Sequence, residues 1–179
     1  MKWLRRLVGM ESTPKSVPSP PLPAPPPTRP EKEAVRYARE KGGYTLYQSF
    51  DGSGMLVSDL EKHRSVRLEL VQAVRPYVVE AVANGWAPRK LAKAIQEAGL
   101  LPEEQAEVFA HMEIAIAVNR GQIHEMREAG FKNVEVQDGT ESKHCRSVDG
   151  KRRSLDWAEK RPIGCEGCVR SFTPGDLAD

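Results

Sequence analysis

The feature that most constrains the fold is a long helical pattern that begins at Pro102 and stops before Gly130. Proline needs no hydrogen-bond donor at the start of a helix, and the two glutamates that follow it suit the positive end of the helix dipole. Gly130 supplies the left-handed residue with which a helix ends. One face carries a buried stripe made of Phe109, Met112, Ile116, Ile123 and Met126, joined by Ala115 and Asn119. The pattern therefore predicts one long central helix, with Asn119 as the polar member of an apolar face.

Two segments precede this helix. Residues 31–57 predict a short charged helix and a β-hairpin, because a turn-forming Asp-Gly-Ser-Gly tetrapeptide at 51–54 separates two β-prone runs. Residues 58–130 predict a helical region in which apolar residues recur at Val66, Leu70, Val74, Val78 and Val82. Pro76 interrupts this pattern and predicts either a kink near Arg75 or two abutting helices.

The chain after Gly130 predicts a small β cap. Val134 and Val136 alternate with charged residues as in a half-buried strand, Val148-Asp149-Gly150 marks a turn, and a last strand follows Cys168. Residues 131–179 are therefore expected to form a small antiparallel cap that carries the cysteines. A helical stem with such a cap belongs to the α+β class, because the chain lacks a repeated strand-helix alternation.

The N-terminal residues predict a tether. Residues 1–10 place apolar and basic side chains on opposite sides of a helix, and residues 11–30 form a proline-rich linker that excludes helix and sheet. We expect the linker to be disordered. Residues 1–10 are either an unstructured start or a docking peptide that folds on a partner. No run of apolar residues is long enough for a membrane span, and no export signal is expected.

The charge balance excludes a generally basic or acidic surface, since 27 Lys and Arg face 25 Asp and Glu. Local clustering near the C-terminus nevertheless makes Lys151, Arg152, Arg153 and Arg161 candidates for binding nucleic acid, with Arg170 nearby. Acidic residues interleave with these cations. The alternative is an ordinary salt-bridged surface.

Cysteine spacing suggests zinc. Cys165 and Cys168 have the two-residue separation with which two thiolates bind one tetrahedral ion, and Cys145 and His144 are candidates for the remaining ligands. Ser142 stands where a second upstream cysteine would complete a typical pair. Adjacent residues on an extended chain point to opposite sides, so His144 and Cys145 would share a metal only at a tight turn. The alternative is three reduced cysteines in a small apolar patch, consistent with a reducing compartment.

Catalysis is not expected. His144 and Cys145 are adjacent in sequence instead of being brought together by the fold, and the chain has no Gly-x-Ser-x-Gly motif. Glu113 lies near Asn119 on the long helix. We expect it to be part of a solvated face or a buried contact to neighbouring backbone.

Several of these segments, in this order, resemble the Mu F-like bacteriophage head morphogenesis proteins, also called minor head or minor capsid proteins. The helix sequence MEIAIAVNRG is similar to that family's Thr-Glu and Asn-x-Gly helix motif, EAGFKNVEV to its turn into a strand, CRSVDG to its Asp-Gly element, and RPIGCEGCVRSF to its cysteine-bearing closure. The residues that match are Glu113, Ala117, Asn119, Gly121, Gly130, Phe131, Val134, Val136, Cys145, Val148, Asp149 and Gly150.

The resemblance covers roughly residues 65 to 174. His111 and Met112 stand where Arg-Thr is usual, and Cys-x-x-Cys replaces the usual His-Pro-x-Cys-x-Cys closure. The resemblance implies a non-enzymatic virion component made in the host cytoplasm. It also implies association with the phage portal or capsid in few copies, and either contact with packaged double-stranded DNA or a role in its ejection. The second hypothesis is a zinc-ribbon-like nucleic-acid-binding module that uses the basic, cysteine-containing C-terminal region.

Overall fold

The structure is a computed structural model that describes residues 29–50, 56–58, 68–138, 143–164 and 170–177. The predictions for residues 1–28, for the turn at 51–54, and for Val66, Ser142, Cys165 and Cys168 lie outside these residues. In the described part of the chain, no helix is both long enough and apolar enough to cross a membrane.

The N-terminal half of the described chain is helical. Helix α1 spans Arg29–Lys41, a 3₁₀ turn spans Tyr44–Tyr47, and strands β1 (Gln48–Phe50) and β2 (Leu56–Ser58) pair antiparallel as the predicted hairpin. Helices α2 (Leu68–Ala83) and α3 (Pro88–Glu97) then lead to α4 (Glu103–Glu128). Buried residues from all four helices form one core cluster, which includes Val74, Leu91 and Phe109.

Helix α2 runs through Pro76 without a break, so the alternative of two abutting helices is wrong. Proline removes one backbone donor and leaves the carbonyl of the preceding turn without a partner. Pro76 and Gln72, which lies one turn earlier, are both exposed, and water can therefore reach that carbonyl. The opposite face of α2 buries Val74 and Val78 completely.

The C-terminal part is the predicted small antiparallel sheet, with two short helices added. Strand β3 (Asn133–Gln137) is central and pairs with β4 (Arg152–Ser154) on one side and β5 (Ser171–Pro174) on the other. Helices α5 (Lys143–Val148) and α6 (Leu155–Lys160) flank β4 in sequence. The protein is thus mostly helical with one three-stranded sheet, which confirms the α+β fold class.

Helix α4 joins the two parts. Its first half packs in the helical cluster, and Ile123 and Met126 near its end pack with Val134, Val136 and Phe172 of the sheet. All five apolar residues of its predicted stripe are buried, and so is Asn119. The helix ends at Glu128, Ala129 follows as its cap, and Gly130 then takes the predicted left-handed conformation, with a φ of 83°.

Candidate functional site

The first polar group buried on α4 is the carboxylate of Glu113, which is 1% exposed. Its Oε1 accepts hydrogen bonds from the Thr45 hydroxyl at 2.6 Å and from the Thr45 amide at 3.1 Å. Burial raises the pKa of Glu113, and the bonds from Thr45 oppose that shift. The carboxylate therefore fastens the 3₁₀ turn after α1 to the middle of α4.

The second such group is the Asn119 side chain, six residues further along α4. Its Nδ2 donates to the carbonyl oxygens of Pro162 at 2.6 Å and Arg170 at 2.7 Å. Because both partners are acceptors, the amide nitrogen must face them. Asn119 therefore holds two backbone segments of the C-terminal part, at Pro162 and Arg170, against α4. Gly121, the next residue of the helix motif, is buried on the same helix.

A buried ion pair lies next to the Asn119 contacts. Arg170 is 3% exposed, and both its Nε and its Nη2 donate to Oδ2 of Asp138, with the Nε bond at 3.0 Å. Its Nη1 donates to the carbonyls of Arg161 and Ile163. The side chains of Asp138 and Arg170 are fully buried, and their pairing satisfies two charges that would be costly to bury alone.

The sequence did not distinguish this pair from neighbouring charges. In the sequence, Arg170 lies near other basic residues, and no local pattern marks Asp138. Nothing in the pattern separates a buried arginine from an exposed one when acidic and basic residues alternate around it.

Asp149 and Gly150 lie in the turn between α5 and β4 and form hydrogen bonds with the end of β3 and the residue after it. Asp149 accepts a hydrogen bond from the Asp138 amide at 2.8 Å, and the Gly150 amide donates to the Val136 carbonyl, also at 2.8 Å. Gly150 has a φ of 66°, a conformation that few residues with a side chain adopt. These two residues therefore hold Asp138 in the position from which it meets Arg170.

The cysteine region is only partly described. Cys145 lies on α5, completely buried in a cluster with Met112, Ile116 and Ile163. His144 precedes it on the same short helix and not on an extended chain. Because neighbouring residues of an α-helix are about 100° apart around the axis, the two side chains still point in different directions. Among the described residues, no three His, Cys, Asp or Glu side chains are grouped as metal ligands would be. Since Cys165 and Cys168 are outside that set, the zinc site remains a prediction.

The position of Gly164 is relevant to this site. A Cβ atom built on Gly164 would lie 2.8 Å from the Cys145 sulfur. The backbone thus passes directly against the thiol one residue before Cys165. A side chain at position 164 would occupy the space that the sulfur fills, so the close approach requires glycine.

The four candidate nucleic-acid-binding residues have different surroundings. Arg152 forms an exposed ion pair with Asp176 at 2.7 Å, and Lys151 is exposed. Arg153 and Arg161 lie 5.5 Å and 5.3 Å from the centre of the Trp157 ring. The structure therefore brings two of the four cations together on one aromatic side chain, and it neutralises a third.

Comparison with family models, with curated proteins and with solved structures gives no match to this chain.

Proposed function

We propose that this protein is a non-enzymatic minor head protein of a bacteriophage. In this proposal it associates with the portal or capsid during head assembly in the host cytoplasm, remains in the virion, and contacts packaged double-stranded DNA. The resemblance in the helix motif is the starting point, and the role of the motif residues supports it.

The observation that carries the proposal is that Glu113 and Asn119 form buried hydrogen bonds to distant parts of the same chain. Glu113 bonds Thr45, which is 68 residues away in sequence, and Asn119 bonds the Pro162 and Arg170 carbonyls, which are 43 and 51 residues away. A motif made of such residues specifies how a chain folds around one helix. That is what a family of structural proteins needs to share, whereas an enzyme family shares groups that face a substrate.

Both groups are poorly suited to catalysis. Glu113 is 1% exposed and Asn119 is 4% exposed, and the atoms that would act on a substrate are already bonded to the protein. A general base must come within hydrogen-bond distance of a substrate proton. These residues therefore favour a structural role for the motif.

The test is incorporation into phage heads. Heads purified from host cells on a density gradient should contain the protein, as measured by quantitative mass spectrometry. Deleting residues 1–28, the candidate docking peptide and most of the linker, leaves α1 whole and should lower the copy number. The absence of the full-length protein from heads would contradict the proposal. Unchanged incorporation of the truncated protein would remove only the docking role.

The second candidate function is the zinc-ribbon-like nucleic-acid-binding module. Two observations favour it: the Cys145 sulfur lies against Gly164, the residue before Cys165, and Arg153 and Arg161 share Trp157. Metal analysis of the purified protein should then give one zinc per chain, and DNA affinity should fall steeply with salt. Protein without zinc and without DNA affinity would exclude this function. It would leave the association with the portal or capsid standing but remove the contact with packaged DNA from the first proposal.

A further inference from the structure

A polar cavity of about 290 Å³ lies between α1, α4 and α6. Helix α4 contributes Arg120, His124 and Arg127, which are spaced so that they share one face. Helix α1 contributes Glu33 and Tyr37 from a similarly spaced row on the opposite wall. The volume is just below the range found for small-molecule sites in proteins, roughly 300 to 1,000 Å³, and therefore suits a small ligand.

Most charges that line this cavity are already paired. On α1, Arg36 forms bonds with both Glu33 and Glu40. On the other wall, Arg127 donates to Glu159 of α6 at 3.0 Å and also to Asp156 at 2.9 Å. These carboxylates are therefore held by Arg36 and Arg127.

Arg120 differs from the other arginines of the cavity. Its nearest carboxylate is Glu159, at 4.0 Å from Nη1, and that carboxylate is closer to Arg127. Its Nε is buried and has no hydrogen-bond partner among the residues that the structure describes. A guanidinium carries five N–H donors in a planar fork, so Arg120 has donors and charge that no nearby group fully uses.

The Tyr37 ring fixes the position of this guanidinium. The central carbon of the Arg120 guanidinium lies 4.7 Å from the centre of the ring. Stacking of this kind orients the plane of the fork and leaves its edge available for an acceptor. Burial raises the pKa of Tyr37 to about 12, so at neutral pH its phenol is protonated and can also donate a hydrogen bond.

We propose that this cavity binds a small oxyanion, a phosphate or carboxylate group, through the guanidinium of Arg120. The planar fork matches two oxygens of either group, and the Arg120 guanidinium, which shares the Glu159 carboxylate with the closer Arg127, supplies positive charge for them. His124 and Arg127 lie on the same face of α4 and would complete the binding wall. This site goes beyond the proposed assembly function and does not depend on it.

Titration of the full-length protein, followed by amide chemical shifts in NMR spectra, tests this site. Sodium phosphate and sodium acetate are the two probes, each added at constant ionic strength against sodium chloride. We expect saturable shifts at the amides of Tyr37, Arg120 and His124 with at least one probe, and the stronger probe identifies the class of oxyanion. Shifts that stay linear in concentration with both probes would overturn the proposal.

Matched variants separate a site from general charge effects. Arg120→Gln should weaken binding by about tenfold or more, because a charge-assisted bidentate contact is lost. Arg89→Gln removes the same charge from an exposed position on α3 and should change the affinity by less than about twofold, since exposed charges are screened by salt. Equal effects of the two substitutions would overturn the proposal.

If Arg120→Gln fails to fold, Arg120→Lys keeps the charge without the planar fork. Its binding should still be measurably weaker than that of the unmodified protein, and unchanged binding would overturn the proposal.

Discussion

The carboxylate of Glu113 and the hydroxyl of Thr45 are 2.6 Å apart in the core of the protein, although the two residues are 68 positions apart along the chain. The same oxygen also accepts a hydrogen bond from the Thr45 amide. One side chain of α4 therefore determines where the turn after α1 lies, and the stability of that contact can be measured.

Replacing Glu113 by alanine should destabilise the protein by roughly 2–4 kcal/mol, because it leaves two donors of Thr45 without an acceptor and opens a cavity. Glu113→Gln keeps an acceptor oxygen and carries no charge, so its stability at pH 7 should equal or exceed that of the unmodified protein. Urea unfolding followed by circular dichroism measures both variants. A glutamine variant as unstable as the alanine variant would show that the charge, and not the acceptor, holds Thr45.

The stability contributed at Glu113 should depend on pH. Burial raises the pKa of Glu113 above its ordinary value of 4.5, so the folded protein holds a proton that the unfolded chain releases as the pH rises above 4.5. The contribution is complete below pH 4.5 and is lost as the pH rises through the folded-state pKa. Relative to Glu113→Gln, the unmodified protein should therefore lose free energy of unfolding above pH 4.5. Parallel curves for the two proteins from pH 4 to 8 would contradict a raised pKa.

We expect the hydrogen bonds of Asn119 to stabilise the packing of the sheet against α4. Asn119→Ala removes both donors to the Pro162 and Arg170 carbonyls and should cost about 2–3 kcal/mol. Asn119→Asp has the same shape but turns an acceptor toward two carbonyl oxygens, and it should cost more. Hydrogen exchange should speed up first at Phe172 and Thr173 of β5, before it does so in α2. Equal exchange at β5 in the unmodified protein and the alanine variant would contradict this role.

The Asp138–Arg170 pair should matter much more than an exposed pair of the same type. Asp138→Ala leaves the fully buried Arg170 guanidinium without its anion and should cost roughly 3–5 kcal/mol. Arg152→Ala breaks the exposed contact with Asp176 and should cost less than about 1 kcal/mol. Thermal unfolding of both variants provides the comparison. Similar losses would mean that the buried pair is accessible to water.

The long helix could be predicted because its information is local. Pro102, the two glutamates and Gly130 fix its ends, and the periodic stripe fixes its buried face. Asn119 stood out for the same reason, as a polar residue at an apolar position. Its partners, Pro162 and Arg170, could not be predicted, because a side-chain bond to a distant carbonyl leaves no pattern in the sequence.

The two short helices of the C-terminal part show a different limit. Six residues cannot form a stable helix alone, so α5 and α6 depend on packing that the sequence does not display. One signal was available: Ser154 caps α6 by accepting the Trp157 amide at 3.2 Å, and serine is typical at that position. For α5 the comparable signal is Ser142, which directly precedes Lys143 in the sequence, although Lys143 places a positive charge in the first turn, where the helix dipole disfavours it.

The most direct test of the proposed function is binding to a portal protein encoded in the same genome. The two purified proteins are mixed and separated by size-exclusion chromatography with light scattering. The proposal predicts that this protein elutes with the assembled portal at a fixed ratio, and that Asn119→Asp, in which the hydrogen bonds of Asn119 are lost, elutes separately. Elution of the unmodified protein at its own mass, apart from an intact portal and at every ratio tested, would contradict the proposal of a portal-associated head protein.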